Sequence, residues 1–188
     1  ETNKGPIADI LSDVFAGVRE VLEIGSGTGQ HAVYFGQRLP HLTWLPSDLE
    51  ANLADIRARL AAEAPANVQS PIALDTAMQP WPMTNIDGVF SANAVHIMSW
   101  PHVIHMFRGI GQIISERATV CLYGPFRYKG DFTTPSNAEF DLWLKRRDPL
   151  SGIRDFETVD ALARACGLGL IADHAMPANN QLLVWRRG

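Results

Sequence analysis

Apolar residues recur along the chain in two alternating patterns. Steps of three to four residues predict amphipathic helices, whereas short continuous apolar runs predict buried strands. Strands are predicted at residues 21–24, 42–45, 68–74, 86–92, 118–123, 168–172 and 182–185. Helices are predicted around residues 7–18, 32–39, 53–60, 103–114, 137–147 and 159–166. This alternation is typical of an α/β protein with a parallel sheet.

Two places depart from the alternation. The last two predicted strands are joined through residues 177–180, a connection too short for a helical crossover, which makes this pair antiparallel. The longest interruption, within residues 125–155, carries many aromatic and charged residues and is predicted to be a substrate lid. Its helix is predicted to begin with a capping box of Ser136 and Glu139. Within the lid, packing is expected from Phe140 and Trp143, and acceptor contacts from Tyr128, Asn137, Asp141, Arg147, Asp148 and Arg154.

Composition limits the class of protein. The 188 residues, 46% hydrophobic and 19% charged, predict a single domain over residues 1–188. A net charge of −4 without a dense Lys/Arg stripe argues against nucleic-acid binding, and no apolar run approaches the length of a membrane span. The two cysteines are expected to be reduced, the start lacks the features of a signal peptide, and the cytoplasm is the expected compartment. No Cys/His cluster has metal-ligand spacing, so no metal is expected.

The stretch VLEIGSGTGQH at residues 21–31 predicts strand, tight turn and helix. Its glycines, Gly25, Gly27 and Gly29, permit positive φ and let a nucleotide-like group approach the backbone at the start of a helix. The dinucleotide fingerprint G-x-G-x-x-G requires a glycine where this chain has Gln30. The pattern therefore favours a cofactor other than a dinucleotide, although a glycine-rich turn without a ligand remains an alternative.

Polar residues follow three further predicted strands. Asp48 lies about twenty residues beyond the glycines, where α/β nucleotide folds place a carboxylate on ribose hydroxyls, with Glu50 as the substitute. Asp75 is a candidate to accept a hydrogen bond from an adenine amino group. Either aspartate could instead cap the segment that follows it. Asn93 and His96 come just after the fourth strand, where His96 is either a general base or substrate contact, or a structural histidine.

Several motifs carry a resemblance to a known family. Glu23 precedes the glycines in the form E-x-G-x-G-x-G, which resembles motif I of class I S-adenosylmethionine-dependent methyltransferases. Asn3-Lys4 with Pro6-Ile7, LEIGSGTGQH, WLPSD, FSANAVHIMSW, LYGPF and SNAEFD through RRDPLSGIRD resemble the methyltransferase-like protein 26 family over nearly the whole chain. The resemblance implies a Rossmann-like class I methyltransferase fold: a seven-stranded, mostly parallel sheet with helices on both faces and an antiparallel C-terminal strand at its edge.

The same resemblance implies methyl transfer from S-adenosylmethionine, with S-adenosylhomocysteine as product, to an unidentified small-molecule acceptor. Cofactor contacts are expected from Glu23, as the anchor of the ammonium group, and from Gly25, Ser26, Gly27, Gly29, His31, Asp48, Leu49, Asp75 and Asn93. Besides the lid residues, acceptor contacts are expected from Asn3, Lys4, His96, Trp100, Tyr123 and Phe126. If the acceptor is a hydroxyl or amine, His96 is the first candidate for the base and Asp141 the second. From pattern alone, Asn3 and Lys4 belong to a solvated terminus.

Two other classes of function remain. An NAD(P)-dependent oxidoreductase is disfavoured by Gln30 and by the antiparallel end of the sheet. A non-catalytic binding protein that retains the methyltransferase fold is the other alternative. The chain is expected to be a monomer or a homodimer, since an exposed lid or edge strand could support pairing.

Overall fold

Strands and helices alternate as expected through residues 3–188, the part of the chain that the computed structural model describes. The strands are Glu20–Ile24 (β1), Thr43–Asp48 (β2), Ile72–Ala73 (β3), Ile86–Ala92 (β4), Ile114–Gly124 (β5), Arg127–Tyr128 (β6), Asp131–Phe132 (β7), Leu168–Met176 (β8) and Asn180–Arg187 (β9). The helices are Lys4–Val14 (α1), Gln30–Arg38 (α2), Leu53–Glu63 (α3), Trp100–Ile113 (α4), Pro135–Arg147 (α5) and Phe156–Ala165 (α6).

Seven strands form one sheet in the order β3-β2-β1-β4-β5-β9-β8, and β6 pairs with β7 outside it. Neighbouring strands from β3 to β5 are parallel, whereas β9 is antiparallel to both β5 and β8. The expected Rossmann-like fold with an antiparallel C-terminal strand is confirmed. The expected edge position of that strand is wrong, because β9 inserts between β5 and β8 and leaves β8 at the edge.

Helices cover both faces of the sheet. On one face, α1 and α2 contribute Leu11 and Phe35 to a buried cluster that includes Trp44. On the other face, α4 and α6 contribute Phe107 and Val159 to a second cluster. The sheet is thus buried between two apolar layers, as a parallel sheet requires, and its carboxyl edge is left for ligands.

Two local predictions are corrected. The strand predicted at residues 68–74 shrinks to β3, with Val68 making only an isolated bridge to Trp44, because Pro71 has no N–H to donate to the ladder. The predicted capping box is also wrong. The N-cap of α5 is Thr134, whose Oγ1 accepts a hydrogen bond from the Asn137 N–H, and a proline follows it in the first turn.

The two cysteines are free thiols, as expected. Cys121 is buried in β5 and Cys166 is half-buried after α6. Among the helices of residues 3–188, none has both the length and the apolar character needed to cross a membrane.

Candidate functional site

A cavity of about 670 Å³ opens at the carboxyl edge of the sheet, beside the ends of β1, β2, β3 and β4. It is the place where open α/β sheets bind ligands. Six residues expected to contact the cofactor lie in its wall: Gly25, Gly27, Asp48, Leu49, Asp75 and Asn93. The fold therefore brings together residues from four separate segments of the chain.

The glycine turn forms one wall of this cavity. Gly25, Gly27 and Gly29 have φ values of +74°, +60° and +78°, which residues other than glycine rarely adopt. A Cβ atom added to Gly27 would meet no protein atom within 4 Å, because the residue faces open space. Gly29 is the N-cap of α2. Backbone atoms of the turn are thus accessible to a ligand.

Asp48 is held in place beside the glycine turn. Its Oδ2 accepts a hydrogen bond from the Gly27 N–H at 2.8 Å, and its Oδ1 accepts from the Leu49 N–H at 2.7 Å and the Asn52 amide at 2.8 Å. Two carboxylate oxygens offer about four acceptor positions, so one position remains for a ligand. The carboxylate therefore orders the glycine turn and can also accept a hydrogen bond from a hydroxyl group.

Exposed apolar side chains line part of the cavity beside Asp75. Leu49, Ile97 and Leu150 are exposed by 51%, 58% and 64%, and all three line the cavity. Asp75 Oδ1 accepts a hydrogen bond from the Ala77 N–H at 2.9 Å, so the turn-capping alternative is present, while the residue also lines the cavity. Apolar walls with few polar groups are typical of a site for a flat ring.

Glu23 lies beneath the glycine turn and is only 1% exposed. Its Oε2 accepts hydrogen bonds from the Ser26 hydroxyl at 2.8 Å and the Trp44 indole N–H at 3.0 Å. Neither Glu23 nor Ser26 is part of the cavity wall. Burial raises the pKa of Glu23 to about 7, against the hydrogen bonds, which lower it. In this arrangement the carboxyl group supports the turn from below.

A pH-dependent stability is expected from Glu23. The folded protein keeps its proton up to about pH 7, whereas the unfolded chain loses it near pH 4.5. The unfolded state then binds fewer protons, so this group lowers the free energy of unfolding as pH rises from about 4.5 to about 7. This group is expected to lower the free energy of unfolding by up to about 3 kcal/mol over that range. In Glu23→Gln this decrease is expected to vanish.

Urea unfolding of the wild type and Glu23→Gln between pH 4.5 and 8 measures this difference. The exposed residue Glu116 supplies the control, Glu116→Gln. Parallel stability curves for the wild type and Glu23→Gln would contradict the assignment.

His96 follows β4 and is 5% exposed. A Cβ atom built on Gly124 would lie 3.5 Å from its Nδ1 and 3.8 Å from the Asn93 Oδ1, so the imidazole and the amide both lie beside the end of β5. Its ring also forms a T-shaped pair with the ring of Phe140, with 5.5 Å between centroids. Burial, with a smaller effect of Arg154, lowers the pKa of His96 to about 4, which keeps the ring neutral.

Two of the expected lid contacts are engaged in holding the lid together. Asp141 accepts a hydrogen bond from the Ile153 N–H at 2.8 Å and pairs with Lys145 at 2.6 Å, so both of its oxygens have partners. The Asn137 amide donates to the Thr133 hydroxyl and the Asn179 carbonyl, both at 3.0 Å. These bonds give no support to Asp141 as a base or to Asn137 as an acceptor contact.

Other lid residues also contact groups of the protein itself. The Tyr128 hydroxyl donates to Asp173 at 2.6 Å, and Arg154 donates to the Leu150 carbonyl at 2.8 Å. Arg147 is exposed and lies over the ring of Trp143, 4.7 Å from its centroid. Trp143, expected to be buried, is 47% exposed because it lies on the outer side of α5. Of these contacts, the Tyr128 bond joins the lid to β8, whereas the other two lie within the lid.

The lid also reaches the cavity. Asp148 and Leu150 line it, and the Gly152 N–H donates to the His96 carbonyl at 2.9 Å. Asp148 was expected from its place in the lid. Leu150 and Ile97 were missed. For Leu150, an apolar residue within a polar loop is a signal that could have indicated it, whereas Ile97 has apolar neighbours and carries no such signal.

The remaining expected residues lie outside the cavity wall. Phe126 and Tyr123 are buried at and beyond the end of β5, and Trp100 is half-buried at the start of α4. His31 lies in the first turn of α2, stacked on Phe35 at 5.2 Å between centroids. Asn3 and Lys4 are half-buried at the start of α1 rather than in a solvated terminus. Within residues 3–188 no group of three or more His, Cys, Asp or Glu side chains gathers as a metal site would require.

Comparison with known proteins gives a family and a fold. A family model described as "Protein of unknown function (DUF938)" matches residues 1–187. An O-methyltransferase family protein from Burkholderia thailandensis is similar in structure, with a TM-score of 0.85 and 17% identity, over 98% of this chain and 56% of that one. Mitomycin 7-O-methyltransferase gives a TM-score of 0.84 at 16% identity, over 100% and 53% of the two chains.

An O-methyltransferase family 2 protein from Planctomyces limnophilus, solved in complex with apigenin, gives a TM-score of 0.81 at 17% identity, over 99% of this chain and 56% of that one. The chain therefore spans just over half the length of the solved structures that it resembles. The TM-scores establish that the chain has the fold of these methyltransferases. Because the sequence identities are this low, the activity has to be argued from the site.

Proposed function

The chain belongs to the DUF938 family, and we propose that it is an S-adenosylmethionine-dependent methyltransferase acting on a small-molecule acceptor. One observation carries the proposal: a single cavity joins the glycine turn at Gly25 and Gly27 with the carboxylates of Asp48 and Asp75. The narrower resemblance to the methyltransferase-like protein 26 family agrees with this activity and stays a prediction.

The cavity residues fit the parts of the cofactor. Asp48 would accept a hydrogen bond from a ribose hydroxyl, and Asp75, through the oxygen that does not cap its turn, would accept one from the adenine amino group. Leu49 and Ile97 offer apolar surface for the adenine ring. Gly27 leaves room for the amino-acid end. Glu23 lies buried beneath the turn and outside the cavity wall, so its role as anchor of the ammonium group stays a prediction. When bound, the cofactor supplies an activated methyl group.

The acceptor is proposed to be a hydroxyl group of a small molecule. The similar structures include O-methyltransferases, one of them in complex with apigenin, which supports this choice. Methyl transfer from a sulfonium requires chiefly positioning and exclusion of water. A hydroxyl must also lose its proton, and our candidate to accept it is the neutral His96, which lies beside Asn93 near the end of β5 and outside the cavity wall.

Replacing His96 by Ala is expected to lower kcat about 100-fold, the usual contribution of a general base, with little change in the Kd of S-adenosylhomocysteine. Because the pKa of His96 is lowered to about 4, the wild-type kcat is expected to stay constant from pH 8 down to about pH 5. The assay is transfer of labelled methyl groups into small molecules of a cell extract. His174→Ala on the edge strand β8 is the control, and a full-rate His96→Ala enzyme would eliminate the base role.

Calorimetry with S-adenosylhomocysteine and with NAD tests the proposed function. Saturable binding of S-adenosylhomocysteine and none of NAD is the expected result. Preference for NAD would favour the oxidoreductase alternative. Binding of S-adenosylhomocysteine without labelled transfer to any acceptor would favour a protein that has kept the fold and lost the reaction.

A further inference from the structure

A second group of polar side chains lies on the α1 and α2 face of the sheet, outside the wall of the cofactor cavity. We call Asn3, Lys4, His31 and Tyr123 the amino-terminal polar cluster. Asn3 and Lys4 begin α1, His31 lies in the first turn of α2, and Tyr123 lies near the end of β5. The start of α1 packs against α2, since a Cβ atom added to Gly5 would lie 3.8 Å from the Tyr34 hydroxyl. Three elements therefore converge here.

Two atoms of the cluster are buried without a partner. They are the Asn3 Oδ1 and the His31 Nε2, neither of which has a hydrogen-bond partner among residues 3–188. The amides of Asn3 and Asn180 lie against the Tyr123 hydroxyl, whose pKa is raised by burial. Buried polar atoms without hydrogen bonds are rare in native proteins because their desolvation is uncompensated. Two of them in one cluster leave bonds that a ligand could supply.

The charge of the cluster is positive. The Lys4 ammonium lies over the Tyr34 ring, 5.4 Å from its centroid, and among residues 3–188 no carboxylate is within 4 Å of it. Burial, followed by the charge of Lys4, lowers the pKa of His31 to about 4. His31 is therefore neutral, and in the tautomer with its proton on Nε2 it can donate from that atom. A cation beside a neutral donor is an environment for an anion.

The position of the cluster follows from the strand order. Asp48 and Asp75 follow β2 and β3, on one side of β1, whereas Tyr123 belongs to β5 on the other side. His31 comes two residues after Gly29, the last glycine of the turn. A molecule whose ribose lies at Asp48 and whose chain crosses the glycine turn would extend toward this cluster.

We propose that the amino-terminal polar cluster binds a carboxylate group, which accepts hydrogen bonds from Lys4 and His31, while the Asn3 Oδ1 accepts one from a hydroxyl or ammonium group of the same ligand. This inference rests on the proposed function. The carboxylate belongs either to the amino-acid end of the cofactor or to the acceptor, and the two carriers are separable by experiment.

Calorimetry with two adenosine compounds tests the first carrier. S-Adenosylhomocysteine has the carboxylate, whereas 5′-methylthioadenosine lacks the whole amino-acid end. If the cofactor carries the carboxylate, Lys4→Met and His31→Phe are each expected to raise the Kd of S-adenosylhomocysteine at least tenfold. The Kd of 5′-methylthioadenosine is expected to change less than twofold. Lys129→Met, in the turn between β6 and β7, is the matched control.

Nuclear magnetic resonance of the histidine side chains tests the second carrier. In protein saturated with S-adenosylhomocysteine, benzoate is expected to raise the pKa of His31 in the wild type and not in Lys4→Met. The proposal is overturned if neither the discrimination between the adenosine compounds nor the benzoate shift depends on Lys4 or His31. If both adenosine compounds fail to bind the wild type, the proposed function itself fails, which is a distinguishable result.

Discussion

Replacing Gly27 by Val is expected to weaken the binding of S-adenosylhomocysteine at least 100-fold. The added side chain meets no protein atom within 4 Å of its Cβ and extends into the space that the cofactor is proposed to occupy. Binding would be lost because the ligand and the valine cannot share this volume. Calorimetry on the purified variant measures the effect.

Gly130→Val separates this blockage from backbone strain. Gly130 has a φ of +83° and, like Gly27 with +60°, has open space around its Cβ position, but it lies in the turn between β6 and β7. Both variants are expected to lose about 1–2 kcal/mol of stability because a side chain at positive φ is strained. Only Gly27→Val is expected to lose binding, and equal binding losses in the two variants would contradict the blockage.

Replacing Asp48 by Ala is expected to weaken the binding of S-adenosylhomocysteine about 100-fold. Hydrogen bonds to a charged group contribute about 1.5–3 kcal/mol each, and the variant would also free the Gly27 and Leu49 N–H groups from their partner. Asp9→Ala, which removes an exposed ion pair with Arg38, is the control and should bind normally.

The pairing of Asp48 with the ribose has its own test. Wild-type protein is expected to bind adenosine about tenfold more tightly than 2′-deoxyadenosine, and this preference is expected to vanish in Asp48→Ala. A preference that survives the substitution would mean that Asp48 acts only on the glycine turn.

Much of the fold was predictable because its signals are local. The glycine turn, the strand at 86–92 and the antiparallel pairing at the end of the chain each follow from a short pattern of residue types. The position of β9 inside the sheet was not predictable. Whether the last strand pairs with β5 or lies at the edge of the sheet depends on packing between distant segments. The loss of most of the third strand depended on one residue, Pro71.

The site divides in the same way. Asp48 and Asp75 were predicted from their places at strand ends, and both lie in the cavity wall. In the lid, composition indicated polar residues but not the direction of their side chains. Asp141 and Arg154 point to partners within the chain, which no local pattern reveals. Burial of Glu23 beneath the turn likewise depends on Trp44, a residue of the neighbouring strand.

A crystal structure of the protein with S-adenosylhomocysteine tests the central claim most directly. The expected result is density in the cavity of about 670 Å³, with the ribose at Asp48, the adenine at Asp75 and the sulfur beside the glycine turn. Density for the ligand elsewhere, or an adenosine with no contact to Asp48, would contradict the account.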